Sequence, residues 1–317
     1  MAGRMPRRLR VVGKRSPAKD VVVVRLADPD GGEVPEWQPG AHIDLVLDGG
    51  VTRQYSLCGD PADTQSLTVA VLREGAGRGG SIFVHDKLEI GDLIEVGGPR
   101  NHFELVDAAS YLFIAGGIGI TPLLPMLRRV HGSARRWRLL YGGRTRQSMA
   151  FVDDLAAIHP GAVSIRPQDQ YGLLDIRGAM ASVPVGTAVY CCGPEALLQA
   201  VEAAGREHGG LDVHIERFAP KAVTADAVEG AFEVELKRTG RAVAVAADET
   251  VLDALQRAGV AVEFSCREGT CGTCEVAVLG GVPDHRDSVL TDEEHAAGDA
   301  MMVCVSRCRG SKLVLDL

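Results

Sequence analysis

The alternation of hydrophobic and polar positions divides the chain into blocks of different periodicity. Residues 1 to about 107 read as short strands separated by Gly- and Pro-rich turns, as in HIDLVLDGGV and SLTVAVLREGAG. Short, evenly spaced strands of this kind predict an antiparallel β-barrel.

Beyond residue 107 the pattern changes to alternating strands and helices. Buried strands such as YLFIAGG, WRLLYGG and AVYCCG each precede an amphipathic segment such as LLPMLRRVH or PEALLQAVEAAGREHG. This alternation predicts an α/β domain over 108–222, with a parallel sheet and crossover helices.

The last block follows a stretch of small residues at about 219–229, interpreted as a linker. It opens with a hairpin that turns at Thr239-Gly240, followed by a helix capped by Thr250 or Asp248 and a final strand, KLVLDL. The predicted domains are therefore 1–107, 108–222 and 229–317.

Composition adds limits on the class of protein. Apolar residues make up 46% and charged residues 24%, which is typical of a globular protein, and the net charge of −8 argues against a nucleic-acid partner. We find neither a signal-peptide pattern nor an aliphatic run long enough to span a bilayer, so a cytoplasmic protein with no membrane partner is expected.

Cysteine spacing is the strongest chemical signal. Cys266, Cys271 and Cys274 form C-x4-C-x2-C, and Cys304 follows, which is the plant-type [2Fe–2S] pattern. A zinc site is the alternative, but such sites usually pair two CxxC motifs and one is present here. Cys308 competes as fourth ligand; the apolar MMVCV around Cys304 favours Cys304, whereas the arginines that flank Cys308 suggest a surface thiol.

A glycine-rich turn lies between the strand YLFIAGG and the helix after it. Gly116, Gly117 and Gly119 leave the backbone open to a pyrophosphate at a helix N-terminus, although a structural turn is the alternative. Arg135 and Arg136 stand where an ordinary dinucleotide fold has an acidic residue. Arg144 and Arg146 could contact an adenosine phosphate, so NADH and NADPH both stay open on these residues.

Two further motifs suggest cofactor contacts. CCGP places Cys192, Gly193 and Pro194 at a strand end, although Cys192 on its own favours a core residue. In the first block, RQYSL and GRGGS combine a guanidinium, an aromatic ring and glycine amides, and together they suggest a phosphorylated flat cofactor.

These motifs, in this order, resemble the phthalate dioxygenase reductase and vanillate O-demethylase reductase family, within the ferredoxin–NADP reductase superfamily. The similarity includes PGAHIDL, RQYSL, GRGGSIFVHD, AGGIGITPLLPM, YCCGPEALL, IERF and CREGTCGTC. It implies an FMN-binding barrel, an NADH-binding domain and a C-terminal α+β (β-grasp) ferredoxin domain.

The resemblance also implies roles for individual residues. Thr121 would lie near the flavin atom that receives hydride, and Cys192 near the nicotinamide. The remaining cofactor contacts would come from the flavin motifs, the two nucleotide loops and IERF: Arg53, Tyr55, Ser56, Leu57, Gly79, Gly80, Ser81, Gly116, Gly117, Gly119, Pro122, Arg144, Gly193, Pro194 and Phe218.

Electron counting gives the order of transfer. NADH supplies two electrons and the cluster accepts one, so the flavin must lie between them. The resemblance implies a Rieske-type oxygenase as a transient partner of a monomer, with the acidic residues Glu263, Glu268, Asp284, Asp287, Asp292, Glu293 and Glu294 as docking candidates. A haem-thiolate monooxygenase as acceptor, or a non-catalytic redox sensor, are the alternatives.

Overall fold

The computed structural model describes residues 6–47, 51–75, 77, 79–158, 161–220 and 230–317. The chain folds as two compact units, Met1–Glu216 and Arg217–Leu317. Of the predicted linker, residues 221–229 lie outside the described residues. The domain boundaries drawn from the sequence stay predictions.

The first unit begins with a six-stranded antiparallel sheet in the order β4-β3-β6-β1-β2-β5. Its two edge strands meet, because Leu57 bridges Val69 and the Cys58 amide donates to the Thr68 carbonyl at 2.9 Å. The predicted β-barrel is therefore confirmed. Its elements are β1 Arg7–Ala18, β2 Val21–Ala27, β3 His42–Leu47, β4 Val51–Ser56, β5 Leu67–Leu72, α1 Gly80–Asp86 and β6 Leu93–Arg100.

A five-stranded parallel sheet in the order β11-β10-β7-β8-β9 completes this unit, confirming the predicted α/β domain. β10 pairs with β7 on the side opposite β8, so the strand order reverses between β7 and β10. Ligands of open parallel sheets bind at such a reversal, beyond the carboxyl ends of the strands. The strands are β7 Ser110–Gly116, β8 Arg136–Gly143, β9 Val163–Pro167, β10 Ala188–Cys192 and β11 Asp212–Glu216.

Helices connect these strands. The predicted helices are found as α2 Ile120–His131, α3 Val152–Ile158 and α6 Glu195–His208. The strands β9 and β11 and the short helices α4 Gln168–Tyr171 and α5 Ile176–Ala181 were not predicted. Two 3₁₀ turns, Gly117–Gly119 and Arg146–Ser148, follow β7 and β8.

The barrel and the parallel sheet share one hydrophobic core. Val21 and Val23 of the barrel belong to the same buried cluster as Phe113 and Ile120. The buried Tyr190 hydroxyl donates to the Glu104 carbonyl at 2.8 Å and accepts from the Val106 amide at 2.7 Å. The sheet thereby holds the segment that connects it to the barrel.

The second unit is a five-stranded mixed sheet in the order β13-β12-β18-β14-β16, with α7 packed on β13. The predicted hairpin is present, Gly240 has φ +65°, and Thr250 caps α7 by accepting from the Asp253 amide. This confirms the predicted α+β fold. Its elements are β12 Phe232–Leu236, β13 Arg241–Val245, α7 Val251–Arg257, β14 Glu275–Gly280, β15 Pro283–Asp284, α8 Asp292–Ala297, β16 Ala300–Met302, β17 Arg307–Cys308 and β18 Lys312–Leu315.

Among the residues described above, no helix has both the length and the apolar character that a bilayer crossing requires.

Candidate functional site

Two loops at the reversal of strand order pack backbone against backbone. A Cβ added to Gly119 would lie 2.2 Å from the Cys192 carbonyl oxygen, and one added to Gly116 would lie 2.6 Å from Pro194 Cδ. A Cβ added to Gly193 would lie 2.9 Å from the Gly116 α-carbon. Three of the predicted glycines are therefore required for the loops to pack together.

Gly117 is the glycine of this turn that leaves space. Its φ is +56°, and an added Cβ would meet nothing within 4 Å. It opens the 3₁₀ turn Gly117–Gly119, which runs into α2 at Ile120. The Ile120 amide donates to the Gly117 carbonyl, and no side chain caps the turn or the helix. An open glycine beside an uncapped helix N-terminus fits the pyrophosphate of a nicotinamide nucleotide.

The candidate catalytic side chains are buried around these loops. Thr121 is 2% exposed and its hydroxyl donates to the Ile118 carbonyl at 2.9 Å, while Pro122 is buried beside it in α2. Cys192 is fully buried at the end of β10. Burial, followed by the nearby Glu216, raises the pKa of the Cys192 thiol well above its ordinary value.

Glu216 joins this group, and the sequence analysis assigned it no role. It ends β11, where Ser56 Oγ donates to Glu216 Oε2 at 3.4 Å and the Cys192 thiol is its other side-chain partner. Part of the residue surface stays exposed, but its carboxyl is desolvated, and this burial raises its pKa to about 8. A Glu at the carboxyl end of a parallel strand, within the IERF motif, was the signal that could have revealed it.

The flavin motifs of the barrel come together at α1. A Cβ at Gly80 would lie 2.5 Å from Arg53 Cγ, so the arginine packs directly on that glycine. Gly79 precedes α1 with φ +82° and no side-chain cap is present. A guanidinium beside uncapped amides fits a single phosphate, as FMN requires.

The other flavin candidates lie on or near β4. Tyr55 lies two residues after Arg53, on the same face of the strand, and burial raises its pKa to about 12. Leu57 is fully buried in the barrel core. The Ser81 hydroxyl accepts from the Glu74 amide at 2.9 Å, so it orders the loop before α1. The predicted phosphate contact of Ser81 stays a prediction.

Arg144 and Phe218 are the two remaining predicted contacts. Arg144 is exposed, directly after β8, and its carbonyl accepts from the Asp169 amide at 3.2 Å. Phe218 is 47% exposed at the start of the second unit. Their roles stay predictions.

The second unit brings the four predicted metal ligands together. The Cys266 thiol is hydrogen-bonded to those of Cys271 and Cys304, and the Cys274 thiol to that of Cys304. These contacts join the four thiols into one group, as the ligands of a [2Fe–2S] cluster would have to be. The Glu268 amide also donates to Cys266 Sγ at 3.2 Å, as protein amides do around iron–sulfur clusters.

Cys308 is held elsewhere in this unit. Its thiol donates to the Lys312 carbonyl at 3.5 Å and accepts from the Gly310 amide at 3.2 Å, and the residue is buried. The expectation that Cys308 is a surface thiol was wrong. Arg307 beside it in β17 is buried as well, at 6% exposure, so a flanking arginine did not indicate a surface position.

Comparison with known proteins agrees with this architecture. Residues 234–309 match the 2Fe–2S iron–sulfur cluster binding domain, and residues 100–215 match the N-terminal domain of dimethylamine monooxygenase subunit DmmA-like proteins. The chain is thus a flavin- and nucleotide-dependent oxidoreductase with an iron–sulfur domain.

Full-length relatives define the family. The chain is 47% identical to phenoxybenzoate dioxygenase subunit beta of Ectopseudomonas oleovorans, covering 95% of this chain and 94% of the relative. It is 37% identical to phthalate dioxygenase reductase of Burkholderia cepacia, covering 98% and 97%. A solved structure named phthalate dioxygenase reductase aligns over 98% of both chains with a TM-score of 0.71.

A larger protein contains a part of similar structure. An intact type IV self-sufficient cytochrome P450 monooxygenase aligns at 45% identity and a TM-score of 0.91, over 98% of this chain. This chain spans 41% of that P450's length.

The chain belongs to the phthalate dioxygenase reductase family. It is an NADH-dependent reductase of an oxygenase system, and it uses FMN and a [2Fe–2S] cluster. The alternative of a non-catalytic redox sensor is not favoured.

The fourth cluster ligand can be tested with two serine variants. Cys304→Ser should lose the visible absorbance of the cluster, because it removes the thiolate that contacts both Cys266 and Cys274. Cys308→Ser should keep it, because its partners are backbone groups. Iron content and absorbance measure both; a normal cluster in Cys304→Ser and its loss in Cys308→Ser would reverse the assignment.

Glu216 should make stability depend on pH. Its pKa is about 8 in the folded protein and near 4.5 when unfolded, so the folded state holds the extra proton between these values. The stability of the wild type relative to Glu216→Gln should therefore fall as pH rises from about 4.5 to 8 and level off above. Thermal midpoints measure it, with Glu36→Gln as the exposed control; a difference that is constant with pH contradicts the desolvated carboxyl.

Proposed function

We propose that this chain is the reductase component of a two-component Rieske-type oxygenase or O-demethylase that acts on an aromatic compound. The observation that carries the proposal is the four-thiol site, in the same chain as a nucleotide- and flavin-binding unit. A [2Fe–2S] cluster releases electrons singly, which suits an acceptor that is itself an iron–sulfur protein.

Relatives support this class of acceptor. Their names include phenoxybenzoate dioxygenase subunit beta and vanillate O-demethylase oxidoreductase, but also carnitine monooxygenase reductase subunit. The aromatic substrate binds to the oxygenase and not to the reductase. The reductase therefore recognises its partner oxygenase through its docking surface.

The chain's own residues prepare the hydride transfer. Bound FMN would accept hydride from NADH and release single electrons. Arg53, with the amides at Gly79 and Gly80, would hold the phosphate, and the amides at the start of α2 would hold the pyrophosphate. Thr121 and Cys192 are buried and would exclude water from the space between the two cofactors.

A proton is held between the two expected cofactor positions, where the side chains of Ser56, Glu216 and Cys192 meet. With a pKa of about 8, the Glu216 carboxyl is neutral at lower pH and brings no negative charge to the region where hydride arrives. We assign Glu216 the role of keeping this region neutral, with Ser56 orienting its carboxyl.

Docking should be transient, and we propose that the reductase acts as a cytoplasmic monomer. Two of the acidic docking candidates are unsuitable, because Asp284 and Asp287 are 4% and 1% exposed. Asp292 and Glu293 are exposed at the start of α8. They follow Ser288, whose amide donates to the Gly269 carbonyl of the cluster loop at 2.8 Å.

Charge reversal tests the docking role. Asp292→Lys with Glu293→Lys should slow cluster-to-oxygenase electron transfer by about tenfold at low salt, because steering is lost, and the difference should shrink at high salt. Reduction of a dye by NADH should stay unchanged. Stopped-flow kinetics with a purified Rieske oxygenase measure the transfer, and Asp30→Lys with Glu36→Lys is the charge-matched control.

Two outcomes contradict the proposal. Equal transfer rates in the reversal and control variants would remove these acidic residues from the interface. Efficient transfer to a cytochrome P450, with none to Rieske oxygenases, would replace the proposed acceptor class.

A further inference from the structure

A second cluster of metal-ligating side chains lies in the Arg217–Leu317 unit, apart from the four cysteines. His285 follows β15, Asp287 lies two residues later, and His295 is in α8. One ligand atom from each lies within 4.8 Å of the others. The group draws on neither the flavin nor the nucleotide site, so the inference is independent of the proposed function.

The separations are those of ligands around a shared ion. His285 Nδ1 lies 3.8 Å from Asp287 Oδ1, and His295 Nε2 lies 3.4 Å from both carboxylate oxygens. An N–H···O hydrogen bond usually spans 2.7–3.2 Å. Ligand atoms about 2.0–2.2 Å from a tetrahedral zinc ion are about 3.3–3.6 Å apart, which is closer to the distances here.

The ring nitrogens of His285 are buried. Among the described residues neither of them has a hydrogen-bond partner, and the side chain is 9% exposed. Burying a polar atom without a hydrogen-bond partner is unfavourable. The nitrogen that faces Asp287 would be satisfied by a cation bound between them.

The Asp287 carboxylate is held in a fixed orientation by backbone amides. The Val289 and Leu290 amides donate to Asp287 Oδ2 at 3.1 and 2.9 Å, which fixes the group as supporting hydrogen bonds fix a metal ligand. Arg286, which could have neutralised it, pairs instead with Asp284 at 2.9 Å.

The surroundings favour a bound cation over two protonated imidazoles. The two rings stack with centroids 4.4 Å apart and an interplanar angle of 19°, so two imidazolium charges would repel.

We propose that His285, Asp287 and His295 bind one divalent transition-metal ion of the Zn²⁺ class. Two imidazoles and a carboxylate are a frequent zinc set, and water can reach the fourth position beside His295, whose side chain is 22% exposed. The ion ties β15 to α8. Through the contact of Ser288 with Gly269, it also supports the loop that carries the cluster cysteines.

The test uses full-length protein with its flavin and two irons per chain, washed with a chelator and then titrated with Zn²⁺ alone. Zinc and iron are counted together by elemental analysis, and the affinity is obtained by competition with a zinc-binding dye. Wild type should bind one zinc per chain without losing iron. His285→Gln and His295→Gln should each weaken binding by about 100-fold or more, the upper end of what supporting groups alone contribute.

His208→Gln, at an exposed histidine of α6, is the matched control and should bind as the wild type does. Asp287 is left unchanged because its carboxylate also caps the turn at Val289 and Leu290. If His285→Gln fails to fold, His295→Gln, at the more exposed edge, decides the question.

Three results overturn the site. The first is no zinc uptake by iron-replete wild type. The second is zinc uptake by both histidine variants with the same affinity as the wild type. The third is uptake matched by iron loss, which would place the zinc at the cysteines. The link to the cluster loop has its own readout: zinc should slow iron release in wild type and leave it unchanged in His285→Gln. Equal release with and without zinc in wild type contradicts that link.

Discussion

Everything at the nucleotide end of the first unit depends on one steric constraint, the backbone packing between the loops that follow β7 and β10. At Gly119 the Cys192 carbonyl occupies the space of a side chain, and at Gly116 the Pro194 ring does so. This packing fixes where α2 starts and therefore where its uncapped amides point. It also holds Cys192 at the end of its strand, next to Glu216.

Burial of polar groups gives this region its chemistry. Cys192, Glu216 and Ser56 come from three different strands, and their mutual contacts offset part of the cost of desolvation. Burial favours the neutral form of both titratable groups, so the space between the expected cofactor positions carries little charge. The cluster site follows another rule, because four thiols gathered in one place need a metal to become stable thiolates.

The sequence predicted much of this because its signals are local. Strand and helix periodicity located the sheets, and the Thr239-Gly240 turn and the Thr250 cap are short-range features. The C-x4-C-x2-C loop carries three of the predicted ligands within nine residues. Contacts between segments that are distant in the sequence could not be predicted in this way. Glu216 meets Ser56 across 160 positions, and no periodicity shows that Asp284 and Asp287 turn inward while Asp292 stays outside.

The roles of individual residues came from the family resemblance, because periodicity does not indicate them. The spacing of Cys304 left Cys308 as a competitor. The Cys304 thiol contacts that of Cys266, whereas the Cys308 thiol contacts a backbone carbonyl, and the choice of Cys304 stays a prediction. The cofactor roles of Arg144 and Phe218 depend on bound ligands and remain predictions.

The central claim is that one chain conducts electrons from NADH through FMN to its own [2Fe–2S] cluster. An anaerobic titration with NADH, followed by visible and electron paramagnetic resonance spectra, tests it most directly. The account predicts that the flavin and cluster bands both bleach and saturate at roughly three electrons per chain, two at the flavin and one at the cluster. A flavin that bleaches while the cluster stays oxidised would contradict it.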